Sequence, residues 1–412
     1  MRFLIIALCC TCFSVSASTQ YVNGHWWQNN AFVSQNWYVE DGVLRKEPTR
    51  DVTNVIDLTG KYVVHPYGEA HNHNLQEVFL AERFAQSYVE NGVLFGMMMC
   101  ANARGQAQAR EFIDSTPLNI VFASACVSSS DGHPLRMALQ PPFEGAPTPS
   151  PEDIYDKGFI VMDSVSDVEE KWPLVEAGEP DILKIILVHH EVESRRDNER
   201  YFGVNGLTEE ATRELVELSR ANNLRVVAHV ESAADFELAV DAGVDIIGHV
   251  PGYHWWEGYD PELYAISESA AREAAARGVQ VITTMSVVEL FQYSDDRRKA
   301  IVELQAKNLA TLYNAGVQII VGSDRFDSDV IHEVEYLSNL NVLSAETLLN
   351  LLTVKTPRAL FPQRDLGVFD DGYEANFLVL GGNPIKDFQS LRDIELRVMG
   401  GQPIKTERDS SH

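Results

Sequence analysis

His71 and His73 stand two residues apart in the run Glu69-Ala70-His71-Asn72-His73. On an extended strand alternate side chains leave one face, so both imidazoles can meet one ion. Alone the pair says little, because the chain holds 12 histidines. Other groups of ligand type close later apolar runs: His229 ends Val-Val-Ala-His, His249 ends Ile-Ile-Gly-His, and Asp324 ends Ile-Ile-Val-Gly-Ser-Asp. If these runs are strands of a closed parallel barrel, all five side chains converge on the rim where such barrels carry their active sites. Lys184 lies inside Ile182-Leu183-Lys184-Ile185-Ile186-Leu187. A charged, unpaired lysine in so apolar a strand is costly, so it needs a partner or a chemical modification. Two readings stand. The lysine pairs with an acid such as Asp324, or its amine, with a depressed pKa, takes up carbon dioxide to give a carbamate that can bridge two metals.

The elements that would carry these groups follow from hydrophobic pattern. Short apolar strands are expected at 69–73, 93–99, 119–125, 181–187, 225–230, 245–250, 279–285 and 317–322. Amphipathic helices are clearest at 208–222, 233–242, 261–277, 296–315 and 345–360. Such alternation predicts an α/β chain with a (β/α)8 TIM barrel over residues 66–362. An open nucleotide-binding sheet would need a glycine-rich turn after its first strand, where His71-Asn72-His73 stands instead. Residues 19–65 and 363–412 are rich in strand formers and turn signals such as Asn23-Gly24, Asp41-Gly42 and Asp371-Gly372. They predict one small β-sandwich domain built from both chain ends. Residues 127–160 carry many Pro, Gly and Ser and are expected to be a long insertion after the third strand.

The order His-x-His, Lys, His, His, Asp along successive strands resembles the binuclear branch of the amidohydrolase superfamily. The tail is similar too, through Thr356-Pro357-Arg358-Ala359-Leu360, Leu366-Gly367, Gly372-Tyr373-Glu374-Ala375-Asn376 and Gly382-Asn383-Pro384. The resemblance implies His71, His73 and Asp324 on one metal, His229 and His249 on the other, and Lys184 as N6-carboxylysine, with a hydroxide, bridging them. It implies hydrolysis of an amide or peptide-like C–N bond by that hydroxide, with Asp324 as the catalytic proton carrier. Two departures stand out: Pro66-Tyr67-Gly68-Glu69-Ala70 replaces the usual Pro-Gly-hydrophobic-Asp run, and Asn376 stands where Asp is common. Imidazole and carboxylate ligands suit Zn2+, with Mn2+, Co2+ and Fe2+ as other candidates.

Within that family, ring deaminases carry a glutamate three residues after the fifth-strand histidine, whereas here Glu231 follows His229 by two and Ser232 takes the third place. The lysine argues against the one-metal relatives related to imidazolonepropionase. Among two-metal relatives the chain resembles the prolidase-like enzymes, and that resemblance implies cleavage of Xaa-Pro dipeptides or N-acyl amino acids. Arg195, Arg196 and Arg325 are candidate clamps for a substrate carboxylate, and His190, Tyr253 and His254 candidate substrate contacts. The alternatives are a mononuclear cyclic-amide or lactone hydrolase and a non-catalytic exported metal-binding protein.

The net charge of -27 disfavours nucleic acid and anionic membrane as partners and leaves a small-molecule substrate, with a homo-oligomer open. Arg2, the apolar stretch 3–15 and Ser16-Ala17-Ser18 predict a cleaved export signal over residues 1–18, and hence a periplasmic protein in a Gram-negative source. No membrane contact is then expected after cleavage. Three of the five cysteines fall in that leader. The mature chain keeps Cys100 and Cys126, too few for a cysteine-based metal site, and either a disulfide or two buried thiols.

Overall fold

The computed structural model describes residues 18–141 and 146–406, so all but the last residue of the expected export signal over 1–18, with Cys9, Cys10 and Cys12, lies outside the described residues. Ser18 already opens the first strand. Five strands come first: β1 (Ser18–Gln28), β2 (Ala31–Glu40), β3 (Val43–Arg45), β4 (Val52–Asp57) and β5 (Tyr62–Val64). They share one sheet with the last three, β16 (Phe377–Leu380), β17 (Ile394–Met399) and β18 (Gln402–Ile404), in the order β18-β17-β16-β5-β1-β2-β3, with β4 on β1. Aromatic burial joins the two chain ends. Trp26, fully buried, meets the Phe369 and Phe377 rings edge-on at 4.9 and 5.3 Å, and His65 stacks on Phe369 at 3.7 Å.

Between these ends the chain is α/β, and all strand pairing within the two inner sheets is parallel. One sheet holds β6 (Tyr67–Asn72), β7 (Val93–Met98) and β8 (Asn119–Phe122). The other runs β10-β9-β11-β12-β13-β14-β15, with β9 (Val127–Ser128), β10 (Ile160–Val161), β11 (Leu183–Ile186), β12 (Val226–His229), β13 (Ile246–Ile247), β14 (Gln280–Ile282) and β15 (Gln318–Ile320). Helices cover their outer faces, so most of these strands are apolar throughout. Strand β6 departs from that rule: Glu69, His71 and Asn72 are polar and fully buried. Backbone links join the two sheets. An isolated bridge pairs Ala123 with Ile182, the Ala70 N–H donates to Val321 O (2.9 Å), and the Asp324 N–H donates to His71 O (2.7 Å).

Two expectations need correction. The single helix expected over 261–277 is two pieces, a 3-10 turn at Pro261–Tyr264 and a helix at Glu268–Arg277. Ser267 caps the second piece through the Ala270 N–H, and the Ile266 N–H is taken by Asn308 Oδ1, which fixes the break. The helix expected over 345–360 likewise passes through a π-helical turn at Leu351–Lys355. The insertion after β8 is more ordered than its composition suggests, since it contributes β9 and β10 to the larger sheet. At its start Cys100 and Cys126 form a disulfide between the ends of β7 and β8, with Cα atoms 4.9 Å apart.

Candidate active site

His71, His73 and Asp324 come together beyond β6 and β15, their ligand atoms all within 4.8 Å of one another. Asp324 Oδ1 lies 3.6 Å from His71 Nε2 and 3.3 Å from His73 Nε2. The other imidazole nitrogens are engaged: His71 Nδ1 with Gly248 O at 3.0 Å, and His73 Nδ1 with Gln76 Oε1 at 2.9 Å. Each second bond orients its ring and leaves Nε2 toward the carboxylate.

His229 and His249 adjoin this group. The His249 ring centre lies 4.6 Å from that of His71 and 4.5 Å from that of His229. His249 Nδ1 meets Thr284 Oγ1 at 2.8 Å, so its Nε2 is the free nitrogen. In His229 the engaged nitrogen is Nε2, 3.3 Å from the Tyr253 hydroxyl and 3.7 Å from Glu231 Oε1, which leaves Nδ1. Asp324 (φ 50) and Thr284 (φ 45) both hold left-handed backbone. That is costly for the β-branched Thr284, and such outliers gather at functional sites.

Lys184 enters from β11. Its Nζ is buried and has no hydrogen-bond partner among the described residues, and a Cβ on Gly248 would lie 2.9 Å from it and 3.4 Å from His71 Cε1. Gly248 thus leaves room for both side chains. Among the described residues no hydrogen bond joins it to Asp324, although the Asp324 carboxylate acts on it electrostatically. Burial pushes its ammonium down to about 7, with Asp324 opposing. Burial, followed by Lys184, holds His71 well below the usual imidazole range, and burial with His229 does the same for His249. Both are neutral, the form that binds metal. Burial disfavours the Asp324 carboxylate, yet His71, His73 and Lys184 outweigh it and keep the carboxyl below its ordinary range.

Of the three expected substrate contacts, Tyr253 reaches the cluster, its ring stacked on His249 at 4.7 Å. His254 lies one layer out, against Trp256 and Phe291. His190 is tied to Asp235 Oδ1 at 3.0 Å, in a separate group with Glu191. Asp235 is no open ligand there, because it also accepts the backbone N–H groups of His189, His190, Glu231 and Ser232. The candidate clamps are all engaged. Arg195 is buried among Asn205, Val204 O and the Tyr201 and Trp256 rings, Arg196 meets Asp131 and Gly206 O, and Arg325 meets Asp327 and Glu289.

Sequence reading missed two neighbours of the site, His133 and Thr284. His133, from the insertion, stacks on His229 at 5.0 Å and 17°. Thr284 orients His249, and Trp256 Nε1 donates to Glu231 Oε2 at 2.6 Å. Glu69 occupies the acid position before the His pair. It accepts the His71 N–H (3.0 Å) and the Ser323 N–H (2.8 Å) on one oxygen and the Ser323 hydroxyl (2.5 Å) on the other. The longer acid in the altered motif therefore clamps β6 to the segment that carries Asp324.

Residues 198–402 match the model described as "Amidohydrolase family", a span that includes His229, His249 and Asp324. The chain has no match among curated protein sequences. Solved structures share its fold. A prolidase complexed with N-methylphosphonate-L-proline is 19% identical, with TM-score 0.72, covering 95% of this chain and 100% of its own. The Aspergillus niger ochratoxinase is 18% identical, with TM-score 0.74, covering 95% and 96%. A Xaa-Pro dipeptidase with bound methionine is 17% identical, with TM-score 0.73, covering 94% and 100%.

Proposed function

Since this chain belongs to the amidohydrolase superfamily and is a hydrolase, we propose that it is metal-dependent and cleaves an amide or peptide-like C–N bond in a small molecule. The observation that carries this reading is the buried, unpartnered Lys184 Nζ beside four histidines and an aspartate. A structural lysine would have a partner. An amine lowered to about 7 is largely neutral at physiological pH and can attack carbon dioxide, forming an N–C bond and releasing a proton. The donor set fits two divalent cations. His71, His73 and Asp324 would hold one, the free nitrogens of His229 and His249 the other, and carboxylated Lys184 would reach both. Zn2+ suits these ligands best.

When bound, the cations would acidify a water and polarise the scissile carbonyl. The remaining work falls to the chain. Asp324 takes the proton of the attacking water and returns it to the departing nitrogen, which needs a carboxylate at neutral pH, as its lowered pKa provides. Gly248 O, Gln76 and Thr284 hold the imidazoles in fixed orientations, so little reorganisation accompanies reaction. Tyr253, over His249, supplies an aromatic face and a hydroxyl to the substrate.

The links from Ala70 to Val321, Asp324 to His71 and Ala123 to Ile182 support one closed (β/α)8 barrel, with residues 66–362 as its domain and both chain ends forming the β domain. The leader argues for export. Prolidase-like structures among the fold's relatives favour a Xaa-Pro dipeptide or an N-acyl amino acid as substrate. A panel of dipeptides, N-acyl amino acids, lactones and cyclic amides, assayed with Zn2+ and Mn2+, tests this. Turnover of the first two classes supports it, and turnover of lactones or cyclic amides alone overturns it. The one-metal alternative draws on the tight convergence of His71, His73 and Asp324 without Lys184, and hydrolysis surviving Lys184→Ala would favour it.

A further inference from the structure

At the opposite end of the strands from the histidines lies a cavity of about 840 Å3. Its wall is made by the residues that open β12 to β15 and by the segment from Val354 to Pro362. Arg220, Arg225, Arg277, Lys355 and Arg358 line it, and Asp245 is the sole carboxylate among the lining residues. In a chain with 60 acidic and 33 basic residues, five cations around one cavity is a pronounced local reversal of charge.

Helix capping accounts for part of this. Arg277 meets Glu273 and Asp241 and also donates to Val240 O, and Arg220 donates to Gly243 O at 3.1 Å. It does not account for the rest. Arg225 spends its donors on two neutral carbonyls, Ala359 O at 2.9 Å and Leu360 O at 3.3 Å. Among the described residues, Arg220, Arg225, Lys355 and Arg358 have no ion pair. Burial holds the Arg225 guanidinium below its ordinary value, a cost that a bound anion would relieve. Asp245 and, behind it, Asp181 oppose this cost in part, and Asp245 Oδ2 also accepts the Val226 N–H at 2.8 Å. At physiological ionic strength charges are screened within roughly 8 Å, so the cavity feels its own lining more than the acidic surface.

We propose that this cavity binds a small polyanion with two or more clustered oxyanion charges, carried on a phosphate group or a polycarboxylate. Guanidinium forks match the paired oxygens of either group, and the volume admits a small molecule but no nucleic acid duplex. The site is independent of the metal-binding residues and does not rest on the hydrolase reading.

Calorimetric titration at low salt with inorganic phosphate and with tricarballylate tests it. The native protein is compared with Lys355→Ala/Arg358→Ala, which removes two exposed cavity cations, and with Lys299→Ala/Lys307→Ala, which removes the same charge from the exposed surface of the helix Asp295–Ala315. Binding should weaken roughly tenfold or more in the cavity variant and by less than about twofold in the control. Phosphate binding alone identifies a phosphate-bearing ligand and tricarballylate binding alone a polycarboxylate. If the double variant fails to fold, Lys355→Ala alone should weaken binding about threefold. No binding of either probe below about 1 mM, or equal losses in the cavity and control variants, overturns the proposal.

Discussion

In the proposed function the chemistry turns on Lys184, whose burial has a cost that can be measured. In the folded chain its pKa is lowered from 10.5 to about 7. Between those values the unfolded chain binds the extra proton, so stability of the metal-free, uncarboxylated protein rises with pH across that window. Below about 7 both states are protonated and the penalty is complete, on the order of a few kcal/mol. Urea unfolding in buffer free of carbon dioxide should show this rise, and Lys184→Met should abolish it. A native chain with flat stability from pH 7 to 10 would contradict the assignment. Asp324→Asn should lower kcat by about 10² to 10⁴ with the fold retained, because the amide cannot shuttle the proton. Steady-state kinetics beside a thermal melt checks it. At this scale the sequence was informative where a polar residue interrupts or ends an apolar strand, as at Lys184, His229, His249 and Asp324. It was silent on His133 and Thr284, whose approach to the histidines arises from segments that meet only in the folded chain.

Strands β6 and β15 must hold His71 and Asp324 in register, and two devices do so. Glu69 bridges the strands through Ser323, and Gly322 allows them to approach, since a Cβ there would meet His71 N at 2.6 Å and His71 Cβ at 2.9 Å. The obstruction to Gly322→Ala includes backbone, so it is not relieved by rotating a side chain. That variant should lose roughly 1–3 kcal/mol of stability together with metal affinity, measured by denaturant unfolding and by metal titration. Glu69→Ala should cost about 2–4 kcal/mol, because three donors lose a buried acceptor, and Glu69→Asp should recover part of it. Unchanged unfolding for both would refute the clamp. Element positions were legible because the strands are apolar and bounded by turns. The short β9 and β10 were not, since two residues carry no period, and the break before Glu268 depends on Asn308, 42 residues from Ile266.

Both chain ends share one sheet, so the strands after Leu366 complete a layer that the first strands begin. A chain ending at Leu366 would strip β16 from β5 and expose Trp26 to water. It should be poorly soluble with red-shifted tryptophan emission, and a cooperative melt like that of the full chain would show the ends to be separable. Turn signals at both ends made the strands of this shared sheet readable, whereas the basic cavity was hidden because its cations lie far apart in sequence and the net charge points the other way. The proposed function stands on two metal ions that carboxylated Lys184 would help to hold. Plasma mass spectrometry of protein purified with bicarbonate tests it most directly, for the native chain beside Lys184→Ala. About two ions per chain are expected, falling to one or none in the variant. Equal metal content in both proteins would contradict it and make Lys184 a structural residue.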